Sequence, residues 1–271
     1  MRKLSFMIMV VIILTAAIIP SASAAEAEDE RLDLSKLDKG AIGIRYDAPA
    51  GKVTKAVITK GANSYTYSLD KAKATKPIWL PLQMGNGAYS VVILENVTKT
   101  KYRAVLSKSV TVKVPNGADI YLHSIQHVNW MDAKKTAAKA KELTRNSKTD
   151  EEKAKAIYQY IISNVKYDFV LAKKLTDSAY IPDIDATLAA SKGVCYNFAS
   201  LYAAMLRSEG IPAKLVMGTT SQVDGYHAWN EVYLNGKWVL VDTTVDTGLK
   251  KSEKPFTFAK SAKDYKVEKT Y

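Results

Sequence analysis

The hydrophobic pattern of the chain changes near Pro115, and this change constrains the fold more than any other feature. From Gly40 to about Val114, short apolar runs alternate with turns rich in Gly, Pro, Asn and Asp, which is typical of antiparallel strands. After Pro115 the apolar residues recur at helical spacing, and strand-like runs follow only later. We therefore predict an α+β fold class, in which a small β-sandwich-like domain precedes a domain of helices followed by a sheet.

The amino terminus has the pattern of a secretory signal peptide. Arg2 and Lys3 precede an apolar run at residues 4–19, and small residues that include Ala22 and Ala24 follow it. The run is short for a transmembrane anchor, and no stop-transfer charges follow. We predict a cleaved signal peptide at residues 1–24 of a secreted protein. A β-rich binding or spacer domain then occupies 25–118, and the second domain occupies 119–271.

The chain is strongly basic, with a formal charge of +12 from 39 Lys and Arg residues against 27 Asp and Glu residues. Cleavage would remove Arg2 and Lys3 and leave about +10, a charge that favours polyanionic surroundings such as cell-wall polymers or membrane surfaces. A solvated basic surface without a dedicated partner is the alternative. No basic motif with stacking aromatic residues stands out, so we expect no nucleic acid partner. No later segment is long and apolar enough to span a bilayer, so we expect no stable membrane insertion after cleavage.

Cys195 is the only cysteine of the chain, and it stands where a tight turn enters a predicted helix over residues 195–208. A lone cysteine in an exported protein is idle, forms an intermolecular disulfide, or is a reactive thiol. A helix start favours the reactive form, because unpaired backbone N–H groups and the helix dipole stabilise a thiolate. A buried small hydrophobic residue is the ordinary alternative for such a cysteine.

The dipeptide Asn235–Gly236 predicts a type I′ hairpin that brings two further residues together. With this dipeptide as the loop, Trp229 lies opposite Asp242, and His227 lies on the same face at the diagonal position. Diagonal neighbours are about 7–8 Å apart at the backbone, which an imidazole and a carboxylate can bridge. A slip of one residue would place Asp242 on the opposite face, so the register is a real test.

A thiol at a helix start, an imidazole and a carboxylate are the parts of an activated nucleophile. We therefore predict a catalytic site of Cys195, His227 and Asp242. A strand histidine that is only structural is the alternative for His227. The backbone N–H of Cys195 would also be placed to stabilise an oxyanion.

Four motifs occur in order around these residues, at 193–199 (GVCYNFA), 206–213 (LRSEGIPA), 227–233 (HAWNEVY) and 241–244 (VDTT). Together they resemble the core of the transglutaminase-like superfamily, over about residues 185–246. The resemblance implies a papain-like α+β catalytic domain, with Cys195 as nucleophile, His227 as base and Asp242 as the residue that orients it.

Two positions depart from the pattern of that family, which commonly has Gly or Asp at Asn197 and often Pro at Thr243. Neither position carries a proton in the mechanism. The resemblance also places a side-chain oxyanion donor upstream of the nucleophile, for which Tyr167 and Tyr180 are the candidates.

Other features point to no cofactor. His123 and His127 are four residues apart and could ligate a metal if helical, but no third ligand has suitable spacing. No acidic loop of the EF-hand type is present, so we predict no metal. Trp229 and Trp238 are expected in the core. The segments 219–225 and 173–184 are expected to be loops that line the cleft.

We expect a secreted thiol enzyme that acts on amide bonds of a protein or peptide substrate through a Cys195 thioester. With water as second substrate it would be a hydrolase, and with an amine a cross-linking acyltransferase. The alternative is a non-catalytic binding protein of the cell wall that retains the fold. A third interpretation, a dimer linked through Cys195, requires the thiol to be exposed away from His227.

Overall fold

The computed structural model describes residues 29–70, 72–175 and 180–271. The predicted signal peptide, residues 1–24, lies outside these ranges. Among the described residues, no helix has both the length and the apolar character needed to cross a membrane.

The first half consists of antiparallel strands that form two sheets, as the turn-rich pattern predicts. A three-stranded sheet has the order β1-β2-β5, and a four-stranded sheet has the order β4-β3-β6-β7. In the described part of this half the strands are β1 (Leu32–Asp33), β2 (Ala41–Ile44), β3 (Thr54–Lys60), β4 (Asn63–Ser68), β5 (Ile78–Pro81), β6 (Gly87–Asn96) and β7 (Tyr102–Val112).

Alternate residues of these strands form a shared core, because successive side chains point to opposite faces of a sheet. In β3, Ala56 and Ile58 are fully buried, and Ile93 of β6 is buried beside them. Ile42 and Leu80 of the three-stranded sheet belong to the same apolar cluster. The two sheets therefore enclose one core, and the β-sandwich-like first half is confirmed.

Helices dominate the start of the second half, and a sheet follows. The described helices are α1 (Lys134–Thr144), α2 (Asp150–Asn164), α3 (Phe169–Lys174), α4 (Ile184–Ala190), α5 (Cys195–Ser208) and α6 (Thr243–Lys251). The strands are β8 (Lys166–Tyr167), β9 (Lys192–Gly193), β10 (Ala213–Thr220), β11 (Val223–Leu234), β12 (Lys237–Val241) and β13 (Tyr265–Thr270). The antiparallel sheet has the order β12-β11-β10-β13, while β8 and β9 form a short parallel pair. The predicted α+β class is confirmed.

Helix α5 is the centre of this half, because it is apolar around most of its circumference. Phe198, Tyr202 and Leu206 are fully buried, and the helix packs against α1, α2 and the sheet. Gly210 follows the helix with a φ of 78°, which is the left-handed conformation expected after a helix end.

Two local structures have the geometry that their residues favour. The Thr149 hydroxyl accepts from the Glu152 backbone N–H (3.2 Å), and the Glu152 carboxylate accepts from the Thr149 backbone N–H (3.3 Å), so α2 begins with a capping box. Asn235 and Gly236 both have positive φ, 52° and 78°, as a type I′ turn requires.

Two expectations require correction in the sheet. The segment 219–225 is mostly strand, because β10 continues to Thr220 and β11 begins at Val223. Residues 265–270 also form a strand, β13, that was not expected from the sequence pattern and that pairs with β10. A six-residue strand carries a weak periodic signal, and its paired residues lie 45 to 54 positions earlier in the chain.

The last strand ends against the first half of the chain. Gln83 donates to the Thr270 carbonyl (3.0 Å), and the Tyr271 ring stacks on His127 with 3.9 Å between ring centroids. Buried apolar residues of both halves form one continuous cluster. The division of the chain between residues 118 and 119 stays a prediction.

Candidate active site

Cys195 is the first residue of α5, and two neighbouring segments fix its position. Residues 192–193 pair in parallel with residues 166–167, so the approach to the helix is held as a strand. The Asn197 side chain then accepts from the Val194 backbone N–H (3.1 Å), which closes the turn. The Cys195 side chain is partly exposed at the helix start, where backbone N–H groups lack intrahelical partners.

Position 193, just before this turn, must be glycine, because the backbone there passes close to the Asn197 side chain. A Cβ atom on Gly193 would lie 2.4 Å from the Cβ of Asn197. Asn197 is itself buried, and its amide donates to the hydroxyls of Thr187 (2.9 Å) and Tyr180 (2.9 Å). Asn197, one of the two positions that depart from the family pattern, therefore links the start of α5 to α4.

His227 and Asp242 meet as the hairpin register predicts. Asn230 pairs with Val241, which makes Trp229 and Asp242 the next opposed positions. The His227 Nε2 lies 2.8 Å from the Asp242 Oδ2, and both side chains are almost completely buried. This leaves Nδ1 as the ring nitrogen available to a thiol.

The Asp242 carboxylate has four hydrogen-bond partners. Its Oδ1 accepts from the backbone N–H groups of Thr244 (3.1 Å) and Val245 (3.0 Å), so Asp242 is the N-cap of α6. Its Oδ2 accepts from His227 and from the hydroxyl of Tyr265 (3.1 Å). A carboxylate so placed cannot rotate without breaking the start of a helix, and it presents Oδ2 to the imidazole in one orientation.

The electrostatics of the site favour a protonated His227. Burial of the ring opposes the charge and lowers its pKa, but hydrogen bonds with Asp242 and with the Cys195 side chain outweigh that cost. Together with the charges of the same two groups they raise the pKa of His227 to about 9. An imidazolium next to a thiol stabilises the thiolate, which is the nucleophilic form.

Trp229 lies behind the imidazole and not in an open cleft. Its ring is 1 % exposed and stacks on His227 with 6.2 Å between centroids and an interplanar angle of 22°. It packs on Val216, Leu240 and Tyr265 in a small separate core on the sheet. The expectation that Trp229 belongs to the core is confirmed.

The two candidates for an oxyanion donor differ in their surroundings. The Tyr180 hydroxyl is engaged with Asn197, to which it also donates (3.2 Å). Tyr167 lies on β8 beside Gly193, and burial followed by the charge of Cys195 raises its pKa. Tyr167 is therefore a neutral phenol within electrostatic reach of the thiol, and we favour it as the donor.

A second buried carboxylate lies one helical turn beyond the site. Asp246 is paired with Lys260 and accepts from the Tyr158 hydroxyl (2.7 Å). Burial raises the pKa of Asp246, while Lys260 and Tyr158 act in the opposite direction. Because Lys260 neutralises this charge, Asp242 is the carboxylate left to face the imidazole.

His123 and His127 do not lie on a helix. His123 precedes the turn that the bridge between Ile125 and Val128 closes, and His127 lies within it. Buried atoms of both rings lack a hydrogen-bond partner. Burial lowers the pKa of His127 to about 3, so it is neutral. Within residues 29–70, 72–175 and 180–271, no group of three or more His, Cys, Asp or Glu side chains is arranged to hold a metal ion.

Tyr265 is the site residue that sequence reasoning missed. It begins β13, in a segment for which no strand was predicted. The signal that could have revealed it is the start of the run 265–270, where Tyr265 and Val267 alternate with Lys266 and Glu268. Its partner, Asp242, was visible only through the hairpin register.

The part of the chain that forms this site is similar to known proteins. A family model described as the transglutaminase-like superfamily matches residues 137–243, which include all three predicted catalytic positions. Human kyphoscoliosis peptidase is 35 % identical over 120 residues, which cover 40 % of this chain and 18 % of that protein. The chain thus corresponds to less than a fifth of the length of this curated relative.

Solved structures are similar at a lower level. A candidate cysteine protease from Cytophaga hutchinsonii is 19 % identical with a TM-score of 0.42, over 75 % of this chain and 71 % of that chain. The periplasmic domain of TgpA from Pseudomonas aeruginosa is 14 % identical with a TM-score of 0.41, over 76 % of this chain and 94 % of that chain.

Proposed function

The chain belongs to the transglutaminase-like superfamily, and from this premise we propose that it is a secreted thiol enzyme that acts on amide bonds of protein or peptide substrates. The observation that carries the proposal is the 2.8 Å contact between His227 and Asp242, and the neighbouring Cys195 side chain is among the groups that raise the pKa of His227. Cys195 is the nucleophile, His227 carries the proton, and Asp242 holds the imidazole.

The chemistry proceeds in two balanced steps. The Cys195 thiolate attacks the amide carbonyl, a carbon–sulfur bond forms, and the backbone N–H of Cys195 stabilises the oxyanion. His227 gives its proton to the leaving nitrogen, the carbon–nitrogen bond breaks, and an amine departs from a thioester. Water or a second amine then attacks the thioester while His227 takes up a proton, and the Cys195 thiolate is released.

The charge and the amino terminus support the setting of this reaction. A basic protein with a signal-like start suits a polyanionic cell wall, where peptides and proteins present both amides and amines. Export and cell-wall association are parts of the proposal. Neither second substrate is favoured by the residues named here, since all of them serve both outcomes.

The test is to trap the acyl-enzyme. Incubation with a library of glutaminyl and peptidyl amides, followed by intact-mass analysis, should show a mass increase that hydroxylamine removes. The matched variant Cys195→Ala should show none, and His227→Ala should form the adduct far more slowly. Release of free acid against transfer to a labelled amine then separates hydrolysis from cross-linking.

An outcome without turnover would favour the second function, a non-catalytic wall-binding protein, for which the net charge of +12 is the supporting observation. Binding to isolated cell walls that is equal for the wild type and Cys195→Ala, with no adduct on any amide, would establish that alternative.

A further inference from the structure

The Asp242 oxygen that contacts the imidazole also accepts a hydrogen bond from a residue of the tail. The Tyr265 hydroxyl lies 3.1 Å from Oδ2, and His227 Nε2 lies 2.8 Å from the same atom. Tyr265 is 9 % exposed and Asp242 is not exposed at all, so water does not compete for this oxygen. In such surroundings a hydrogen bond to a charged group is stronger than a neutral one in water.

The position of Tyr265 is determined by the sheet. As the first residue of β13 it pairs with Thr220 of β10, the strand next to the one that carries His227. Its ring packs on Trp229 with 5.0 Å between centroids, and Trp229 stacks on the imidazole. One side chain therefore touches the carboxylate through its hydroxyl and supports the ring behind His227 through its face.

The backbone around this strand is unusually close. Gly218 pairs with His227 on one side, and a Cβ atom on Gly218 would lie 2.0 Å from the Lys266 carbonyl oxygen on the other. Only glycine permits this approach, which brings β13 near enough for Tyr265 to reach Asp242. A tail strand that only covered the sheet edge would not need it.

We propose that Tyr265 is a positioning residue of the site, which locks the Asp242 carboxylate and shares its charge, so that the imidazolium of His227 can release its proton to the leaving amine. The inference rests on the proposed function. The phenol is a neutral donor at every working pH, because burial and then the charge of Asp242 raise its pKa. Without the hydroxyl, Oδ2 would serve His227 alone and bind its proton more tightly.

The groups that face the imidazole limit what else could cause such an effect. Cys195 faces it from the start of α5, and Asp242 faces it from the start of α6. Beyond Asp242 lies Asp246, which is paired with Lys260 and Tyr158. The Tyr158 contact offers a matched control, since it is also a buried phenol that donates to a buried carboxylate.

The experiment compares Tyr265→Phe with Tyr158→Phe. For both we would measure urea unfolding, the pH profile of acyl-enzyme formation and the NMR titration of the His227 ring. We expect Tyr265→Phe to move the alkaline limb and the His227 titration to higher pH, by on the order of one unit, and to slow release of the amine about tenfold. Tyr158→Phe should lose a similar amount of stability, but its shift of the alkaline limb and of the His227 titration should be less than half that of Tyr265→Phe.

A second variant protects the test against misfolding. Site-specific 3-fluorotyrosine at position 265 keeps the ring and makes the hydroxyl a stronger donor, so it should move both readings to lower pH. Unchanged readings in both variants at position 265, or equal shifts in Tyr158→Phe, would overturn the proposal. The NMR titration needs no substrate, so a chain without turnover would defeat the proposed function and still allow the role of Tyr265 to be judged.

Discussion

Replacement of Asp242 by asparagine should separate the electrostatic part of the site from its structural part. The amide has the size of the carboxylate, and its oxygen can still accept from the N–H groups of Thr244 and Val245 that start α6. Asn is as good an N-cap as Asp, so the helix should persist. What Asp242→Asn removes is the negative charge 2.8 Å from the His227 ring.

The structure sets the size of the effect. Burial lowers the pKa of His227, and the contacts with Asp242 and Cys195 raise it from 6.5 to about 9. Without the Asp242 charge the burial cost dominates, and we expect the pKa of His227 to return to 6.5 or below. A change of about 2.5 units corresponds to about 3.4 kcal/mol, or a factor of about 300 in the proton-binding constant of the ring.

The assay is the rate of iodoacetamide alkylation of Cys195, measured from pH 5 to pH 9. The wild type should react faster than the variant, because an imidazolium beside a thiol favours the nucleophilic thiolate form. At pH 8 the protonated fraction of His227 should fall from about 90 % to about 3 %, so the variant should be alkylated up to about 30-fold more slowly. Asp183→Asn is the matched control, since Asp183 caps α4 without contacting the site. Superimposable profiles for Asp242→Asn and wild type would refute the reasoning.

Three further predictions follow from the same structure. The raised pKa of His227 stabilises the fold below pH 6.5, and this contribution of up to about 3 kcal/mol should be lost as the pH rises through 9. Urea unfolding at both pH values tests this, and equal stability would contradict it. His127 has a lowered pKa, so it destabilises the fold as the pH falls from 6.5 towards 3. At pH 4 the variant His127→Phe should therefore unfold at a higher urea concentration than the wild type, and a lower unfolding midpoint would contradict this prediction. Gly218→Ala forces the Lys266 carbonyl away, so both the melting temperature and the rate of Cys195 alkylation at pH 6 should fall. The control Gly236→Asn should leave the alkylation rate unchanged.

The parts of the fold that local chemistry determines were predictable from the sequence. The capping box at Thr149, the glycine after α5 and the Asn235–Gly236 turn each depend on a few adjacent residues. The turn also set the register that places His227 and Asp242 together. These cases share one property, since the partner of each group lies within about 15 residues.

The remainder of the site depends on partners that are distant in the chain. Tyr265 reaches Asp242 only because β13 pairs with β10, and nothing near Tyr265 specifies that pairing. The same holds for Tyr158, whose hydroxyl meets Asp246 across 88 positions. Single residues of this kind carry no periodic signal, so sequence patterns cannot place them. The catalytic roles of Cys195, His227 and Asp242 stay predictions.

The first half of the chain also contributes to the site, through the strand that carries Tyr265. Gln83 donates to the Thr270 carbonyl, and the Tyr65 hydroxyl accepts from the Thr270 backbone N–H (3.2 Å), so the far end of β13 is held by the β-rich half. The near end holds Asp242. A strand that is fixed at both ends holds its side chains in place better than a free tail, because neither end can fray without breaking buried contacts. The β-rich half therefore holds the far end of the strand whose near end contacts Asp242.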